Sequence, residues 1–400
     1  MNKKIMILGA SILQLPAIKK AKELRLEIVV VDMNPNAIGF KEEGIKKEII
    51  STIDVPKIIE AAKKHKIDGI MTLATDMPMR AVAAVSKELG IIGISEDTAI
   101  KATNKINMRD ALRTNKVPIP KYYKVSSEDE YQKIVGNFSV PFIVKPADNS
   151  GSRGIFEVLD ITDSSLIKEA YEYSHQNSRC GDVIVEEYME GPEVSVETLA
   201  IDGQCYVIQI TDKLTTGAPH YVEMGHSQPT KLEKNIVDEI IYVAKKANQA
   251  IGINNGPSHT EIIVTKEGPK VVEIGARLGG DNITTHLVPL STGIDMVESC
   301  IKIALGESPD IQKKWIKGSA IRYFKQTKGI IKSINGVEQA QNFPGVKQIS
   351  IVHDVGRFIS DVDSSAARMG FVIAQGENVD EAIKTCTRAL EKIKVEIGAE

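Results

Sequence analysis

At 400 residues the chain is long enough for two to three domains. Hydrophobic residues at 42% and charged residues at 26% are ordinary for a soluble globular protein, and a formal net charge of −3 excludes a global basic field for nucleic acid. Four scattered cysteines, Cys180, Cys205, Cys300 and Cys386, form no CxxC pair, which argues against a zinc site and a disulfide framework and favours a reducing compartment.

The apolar run 5–8 ends at Gly9 and is too short for the core of a signal peptide. No stretch reaches transmembrane length, so no membrane association is expected and a cytoplasmic location is. Residues 15–24 have helical spacing with Pro16 in the first turn, and 28–31 is a second apolar strand ending at Asp32. A helix over 55–65, a strand over 69–73, a helix over 79–89 and the closing segment 91–93 continue the pattern. Strands alternating with helices in this way predict a small parallel α/β domain over residues 1–95. Gly9 after a strand, with Asp32 downstream, suggests a dinucleotide site. The glycine fingerprint fails, however, because Ser11 and Gln14 stand at the later glycine positions.

Thr103-Asn104-Lys105 opens a helix that ends at the joint Val117-Pro118-Ile119-Pro120. Read in isolation, Lys105 is a solvated surface lysine. The strand 142–144 carries Lys145, and the segment 148–154, including Ser150, Gly151, Ser152 and Gly154, leads into the return strand 155–159. A polar Gly/Ser loop between strands offers backbone N–H groups to phosphate oxygens, although no Walker A pattern is present. A lysine among apolar residues needs an anionic partner, unless it lies on an edge strand facing water. The strands 183–185 and 194–199 flank the acidic turn 186–193. Backbone groups near Glu187 and Met189 could read an adenine edge there, and Glu193 could accept from ribose hydroxyls; a charged turn is the plainer alternative.

Residues 213–221 read as a polar loop, followed by 222–226 and Pro229, with His226 either a substrate contact or a hydrogen-bonded loop histidine. Residues 232–252 form a long amphipathic helix. Two apolar runs, 262–264 and 271–272, then flank a turn cluster and read as a β-hairpin bearing Glu261 and Glu273. A five-residue loop over 265–269 would set these carboxylates opposite each other and keep Pro269 out of the ladder. Facing like charges destabilise a sheet, so a cation between them is expected, and hard oxygen donors suit Mg²⁺ with substrate phosphates. Two solvated acids on an exposed hairpin are the alternative. Arg277 follows, with Gly279-Gly280 beside it, placed to face a phosphate. Residues 284–305 read as mostly helical. The closing region 320–400 alternates short strands with turns and ends in a helix over 381–397 that Asp380 caps. Arg357 and Arg368 read as structural residues that approach the cleft.

In this order the pieces resemble the ATP-grasp superfamily: Lys105; Val144-Lys145-Pro146 with 148–154; the turn 186–193; Glu261; and Glu273-Ile274-Gly275-Ala276-Arg277. The segment 9–16 resembles the pre-ATP-grasp domain of its purine-biosynthesis and biotin-carboxylase branches. The form 273–281 and the segment 223–229 are similar to the L-amino acid ligases, which join two amino acids. The resemblance implies an α/β and α+β architecture. An N-terminal domain (1–95) precedes an ATP-grasp domain (96–310, with a lid lobe at about 120–190) and a small β-rich C-terminal domain (311–400).

It further implies that Lys105 and Lys145 contact ATP phosphates under the lid loop 148–154. Glu186, Met189 and Glu193 would serve the adenine and ribose. Glu261 and Glu273 would hold Mg²⁺, or Mn²⁺ in its place, and Arg277 would meet the γ-phosphate or an acyl-phosphate. His226, Gly279, Gly280 and Asp281 would line the substrate site. The pattern departs at Gly275, where many members carry an asparagine as a further metal ligand. The activity so implied is ATP-dependent joining of a small-molecule carboxylate to an amine, with ADP and phosphate released and a homodimer as an allowed assembly. Alternatives are a phosphoribosylamine–glycine ligase-like or carboxylating enzyme, a dinucleotide oxidoreductase, and a nucleotide-binding regulator without catalysis.

Overall fold

The computed structural model describes residues 2–149, 153–217 and 221–398. The N-terminal strands β1 (Lys4–Leu8), β2 (Glu27–Val31), β3 (Ile45–Glu48) and β4 (Gly69–Met71) form a parallel sheet in the order β3-β2-β1-β4. The nearly continuous apolar runs of β1 and β2 follow from helices covering both faces. Gln14 closes the first turn: it is buried, donates to the Leu73 carbonyl at 2.9 Å, and fills the space beside Gly9. Asp32 accepts from the backbone of Ala10 and Asn34. The pocket that a dinucleotide pyrophosphate would need is thus taken up by the chain's own side chain.

The middle of the chain makes a separate lobe, the one expected as a lid, from β5 (Tyr122–Val125), β6 (Phe142–Pro146), β7 (Phe156–Val158) and β8 (Val183–Glu187), paired antiparallel in the order β5-β8-β6-β7. Its core is its own, built on Tyr131, Phe138, Phe142, Val144, Val183 and Val185. Next come β9 (Glu193–Ile201), β10 (Gln204–Thr215), β11 (Glu223–Gln228), β12 (Gly256–Thr265) and β13 (Gly268–Gly275). The last segment supplies β14 (Gly318–Tyr323), β15 (Gly329–Asn335), β16 (Val346–Ile351), β17 (Phe358–Ile359), β18 (Gly370–Gly376) and β19 (Lys394–Gly398).

One sheet in the order β13-β12-β9-β10-β11-β14-β18-β16 therefore crosses from the middle of the chain into its C-terminal part, while β17-β15-β19 stand apart. Its β13 end shares a core with the N-terminal domain, in which Val29, Val82 and Leu112 join Val196, Ile262 and Ile274. The face that carries the site is fixed from both sides.

Several expectations change. The strand β10 runs on to Thr215, so Lys213 lies inside the sheet, opposite His226 on β11, rather than in a loop. The 284–305 region is broken into a π-turn at Ile283–Leu287 and short helices Val288–Thr292 and Met296–Ala304, because Gly293 adopts φ +78°. The final helix is Val379–Lys392, capped by Asn378 rather than Asp380, and the residues after it form β19. Its start is also a close approach: a Cβ on Gly318 would lie 1.9 Å from the Asn378 carbonyl oxygen. Gly318→Ala is expected to destabilise the protein by about 1–3 kcal/mol, read as a lower midpoint in urea; an unchanged midpoint would show that the helix start can shift freely.

Candidate active site

The hairpin β12–β13 places Glu261 directly opposite Glu273, but not by the expected loop. Thr265 pairs with Gly268 across a two-residue turn, and a bulge beside Val272 supplies the one-residue shift that brings position 273 opposite 261. Pro269 is in the ladder, opposite Val264, on the edge strand of the sheet. The Val264 N–H donates instead to Pro192 on the far side, so Pro269 lies at a position where no donor is needed.

A buried arginine that sequence reading passed over pins the bulge. Arg109, 1% exposed, donates to the Val271 and Val272 carbonyls at 3.1 and 2.8 Å and to Glu186 at 2.5 Å. Its signal was legible: 105, 108, 109 and 112 lie on one face of the helix Lys105–Thr114, and all four are buried. Lys105, too, is buried rather than solvated, bound to the Asn149 carbonyl at 2.6 Å and to Glu273 at 3.2 Å.

Lys145 is buried at 2.6 Å from Glu186, so the anion it requires comes from the protein itself. Burial lowers the proton affinity of Lys145 and Glu186 works against that. At Glu186 burial acts upward, but the charges of Arg109 and Lys145 outweigh it and hold the carboxyl near 2. Glu186 is thus turned inward as the counter-ion of two cations. Met189 lies half-buried in the connection from β8 to β9. Within that connection Gly191, at φ +150°, lies against β12, where a Cβ would come within 2.0 Å of the Val264 carbonyl oxygen. Ser150, Gly151 and Ser152 lie outside the described residues. Gly154 is buried at φ +81°, and its carbonyl accepts from Ser174 at 2.8 Å.

Lys213 is the second missed residue. Its ammonium reaches Glu193 at 2.6 Å, Glu261 at 3.0 Å and Glu223 at 3.8 Å. Burial lowers its proton affinity, but the three carboxylates raise it further and keep it charged. Glu261 feels the reciprocal effect: burial acts upward, Lys213 and His259 act downward, and the carboxyl is held well below the ordinary range. The His259 ring meets Glu197 at 2.6 Å through Nδ1 and Glu261 at 3.5 Å through Nε2. Burial works against the charged ring, the Glu197 carboxylate favours it, and the balance puts His259 at about 9.

Beyond the hairpin, Arg277 is gripped by Asp76, while the Gly279 N–H donates to Glu197 at 3.3 Å. Gly280, the second glycine of the pair, has open space around it apart from the Ala74 methyl. Asp281 takes a bidentate pair from Arg368 at 2.7 and 2.8 Å and meets His226 at 3.3 Å. Arg368, from the C-terminal segment, also lies 3.8 Å above the Tyr323 ring and donates to the Glu223 carbonyl. It is therefore structural and at the cleft at once. Burial acts upward on Asp281, but Arg368 and His226 hold it ionised. Lys105, Glu273, Asp76 and Asp148 share the wall of a cavity of about 350 Å³ between the lid lobe and the N-terminal domain.

Residues 138–285 match the family model described as the ATP-grasp domain. This chain contains an ATP-grasp domain. Residues 322–398 of the same chain match the L-amino acid ligase C-terminal domain 2. The L-arginine-specific L-amino acid ligase of Bacillus subtilis is 24% identical over 333 residues, covering 82% of this chain and 80% of that protein. The phosphoribosylamine–glycine ligase of Caldanaerobacter subterraneus subsp. tengcongensis is 24% identical over 372 residues, covering 87% and 86%. Among solved structures, the L-amino acid ligase of Bacillus licheniformis superposes with a TM-score of 0.85 at 21% identity over 99% of both chains, a likeness of fold.

The ATP-grasp hairpin fits a divalent cation held together with phosphates. Two carboxylates face each other, each a quarter exposed, and separate cations, Lys213 and Lys105, pair with them. Among the described residues no group of three His, Cys, Asp or Glu side chains is arranged to hold a metal. The pair suits an ion whose remaining ligands are phosphate oxygens and water, which is the habit of Mg²⁺.

Proposed function

We propose that this ATP-grasp protein is an ATP-dependent carboxylate–amine ligase whose substrates are amino acids. The observation that carries the reading is the direct opposition of Glu261 and Glu273, paired with Lys213 and Lys105 respectively and within the electrostatic reach of Arg277. The match to an L-amino acid ligase C-terminal domain, which contributes Arg368 to the cleft, supports the substrate class.

A carboxylate is a poor acyl donor because its leaving group would be oxide. In the first step a carboxylate oxygen bonds to the γ-phosphorus of ATP as the bond to the β–γ bridging oxygen breaks and ADP leaves. In the second, the amine nitrogen attacks the acyl carbon, inorganic phosphate departs and the nitrogen loses a proton. Mg²⁺, held by Glu261 and Glu273, would neutralise phosphate charge. Lys105 and Lys145 bind ATP phosphates, and Arg277 offsets charge on the group in transfer. Asp281, kept ionised by Arg368 and His226, suits an ammonium anchor better than a base, since its affinity for a proton is low. Closure of the lid lobe keeps water from the acyl-phosphate.

Phosphate release measured with ATP, Mg²⁺ and a matrix of amino acid pairs is expected to rise above background for at least one pair. If only glycine with a phosphoribosylamine responds, the second reading, favoured by the phosphoribosylamine–glycine ligase relative, replaces the first. No stimulation by any pair would sink the amino acid assignment.

A further inference from the structure

Gly275 calls for an explanation that its backbone does not give. It ends β13 on the same face as Glu273, opposite His259, and its φ lies outside the left-handed region. The space its side chain would enter is occupied: a Cβ there would lie 2.8 Å from Asp76 Oδ1 and 3.2 Å from Arg277 Nε. Asp76 stands 201 residues away in sequence, on the loop that follows β4 in the N-terminal domain. Two features hold it in place. Its carbonyl accepts from Met79 N at 3.1 Å, at the start of the helix Met79–Leu89, and Ala74, two residues before it, takes φ +51°. A non-glycine residue at positive φ is strained and persists where the surroundings over-determine it.

The carboxylate grips Arg277 along one edge, with Nε to Oδ1 at 3.0 Å and Nη2 to Oδ2 at 3.4 Å. Nη1 donates to the Leu278 carbonyl at 3.3 Å. Three of the five guanidinium N–H groups are thereby used, and one remains on each terminal nitrogen. A two-point grip fixes the plane of the guanidinium as well as its position. The same carboxylate lines the 350 Å³ cavity beside Lys105 and Glu273.

We propose that Asp76 is the positioning residue for Arg277, and that residue 275 is glycine because the Asp76 carboxylate occupies the space a side chain there would need. The N-terminal domain thereby completes the site: it sets the plane in which the two remaining N–H donors of Arg277 meet the phosphoryl group in transfer. This role for Arg277 rests on the ligase reading above.

The test compares the wild type with Asp76→Asn, Asp76→Gly, Gly275→Asn and the double variant Asp76→Gly/Gly275→Asn. Each is titrated calorimetrically with Mg·ADP, alone and with aluminium fluoride as a mimic of the transferring phosphoryl group, and melted thermally. Asp76→Asn is expected to leave Mg·ADP affinity intact and to weaken the fluoroaluminate complex about 10²-fold, the scale of a misplaced catalytic group. In steady state kcat should fall by the same factor with the KM for ATP unchanged. Gly275→Asn should lower Tm and weaken the fluoroaluminate complex, and the double variant should recover Tm because the space is vacated.

A lower Tm in Asp76→Asn with both affinities unchanged would reduce the contact to a clamp between domains and overturn the proposal. So would additive Tm losses in the double variant. Because the calorimetric and thermal arms need no turnover, a wild type that joins no acid–amine pair defeats the ligase reading without deciding this one.

Discussion

Glu273→Gln is expected to cut turnover by at least about 10²–10³-fold, the scale for losing a principal electrostatic group, and to abolish Mg²⁺-dependent tightening of ADP binding, while the protein stays folded. The fold should survive because Glu273 lies on the edge strand, a quarter exposed, with Lys105 as its ion-pair partner at 3.2 Å. The amide keeps the shape of the carboxylate and can still accept from Lys105. What is lost is half of the opposed carboxylate pair that is proposed to hold the divalent cation. Calorimetric titration of ADP with and without Mg²⁺, alongside the thermal midpoint, separates the two effects. Unchanged turnover, or Mg²⁺ tightening that persists, would overturn the proposed metal role of Glu273.

Glu186→Gln should behave in the opposite way, as a loss of stability of about 3–5 kcal/mol, typical when one partner of a buried ion pair is removed. Arg109 and Lys145 would then share a buried neutral amide, with no countercharge for either. The pH dependence gives a second reading. The Glu186 carboxyl is held down from 4.5 to about 2 in the folded protein, where the charges of Arg109 and Lys145 overcome the upward effect of burial. A depressed carboxylate contributes stability that is complete above its unfolded pKa and is lost as pH falls toward its folded one. The window is therefore about pH 4.5 down to 2, and the contribution is on the order of 3 kcal/mol. Urea midpoints across that window should fall more steeply for the wild type than for the variant. Parallel profiles would show that the triad carries no net charge interaction.

These two residues also show where sequence reading reached and where it stopped. Glu261 and Glu273 were legible because strand alternation and the turn cluster between them report register locally. Even so, the register arose from a two-residue turn and a bulge, and nothing in the residue types at Val271 and Val272 marks a bulge. Lys145 was legible as a buried cation, but that Glu186 is its partner was not, since a run of acids at a turn does not say which one faces inward. Lys213 was lost to a loop reading because the nearby Gly217 and Pro219 outweighed three residues of continuing strand.

The sequence by itself determined the kind and order of most elements, the parallel N-terminal sheet, the carboxylate hairpin and the Lys-Glu-Arg series that resembles the ATP-grasp superfamily. These properties depend on residues within a few turns or strands of one another, where period and turn chemistry act directly. Only the tertiary structure decided the partners: Asp76 for Arg277, Arg109 for Glu186 and the bulge, Lys213 for Glu193 and Glu261, and Arg368 for Asp281. These pairs lie between 20 and 201 residues apart in the chain. Periodicity tells which face of an element a charge occupies; which opposite charge it meets there is set by how the elements pack.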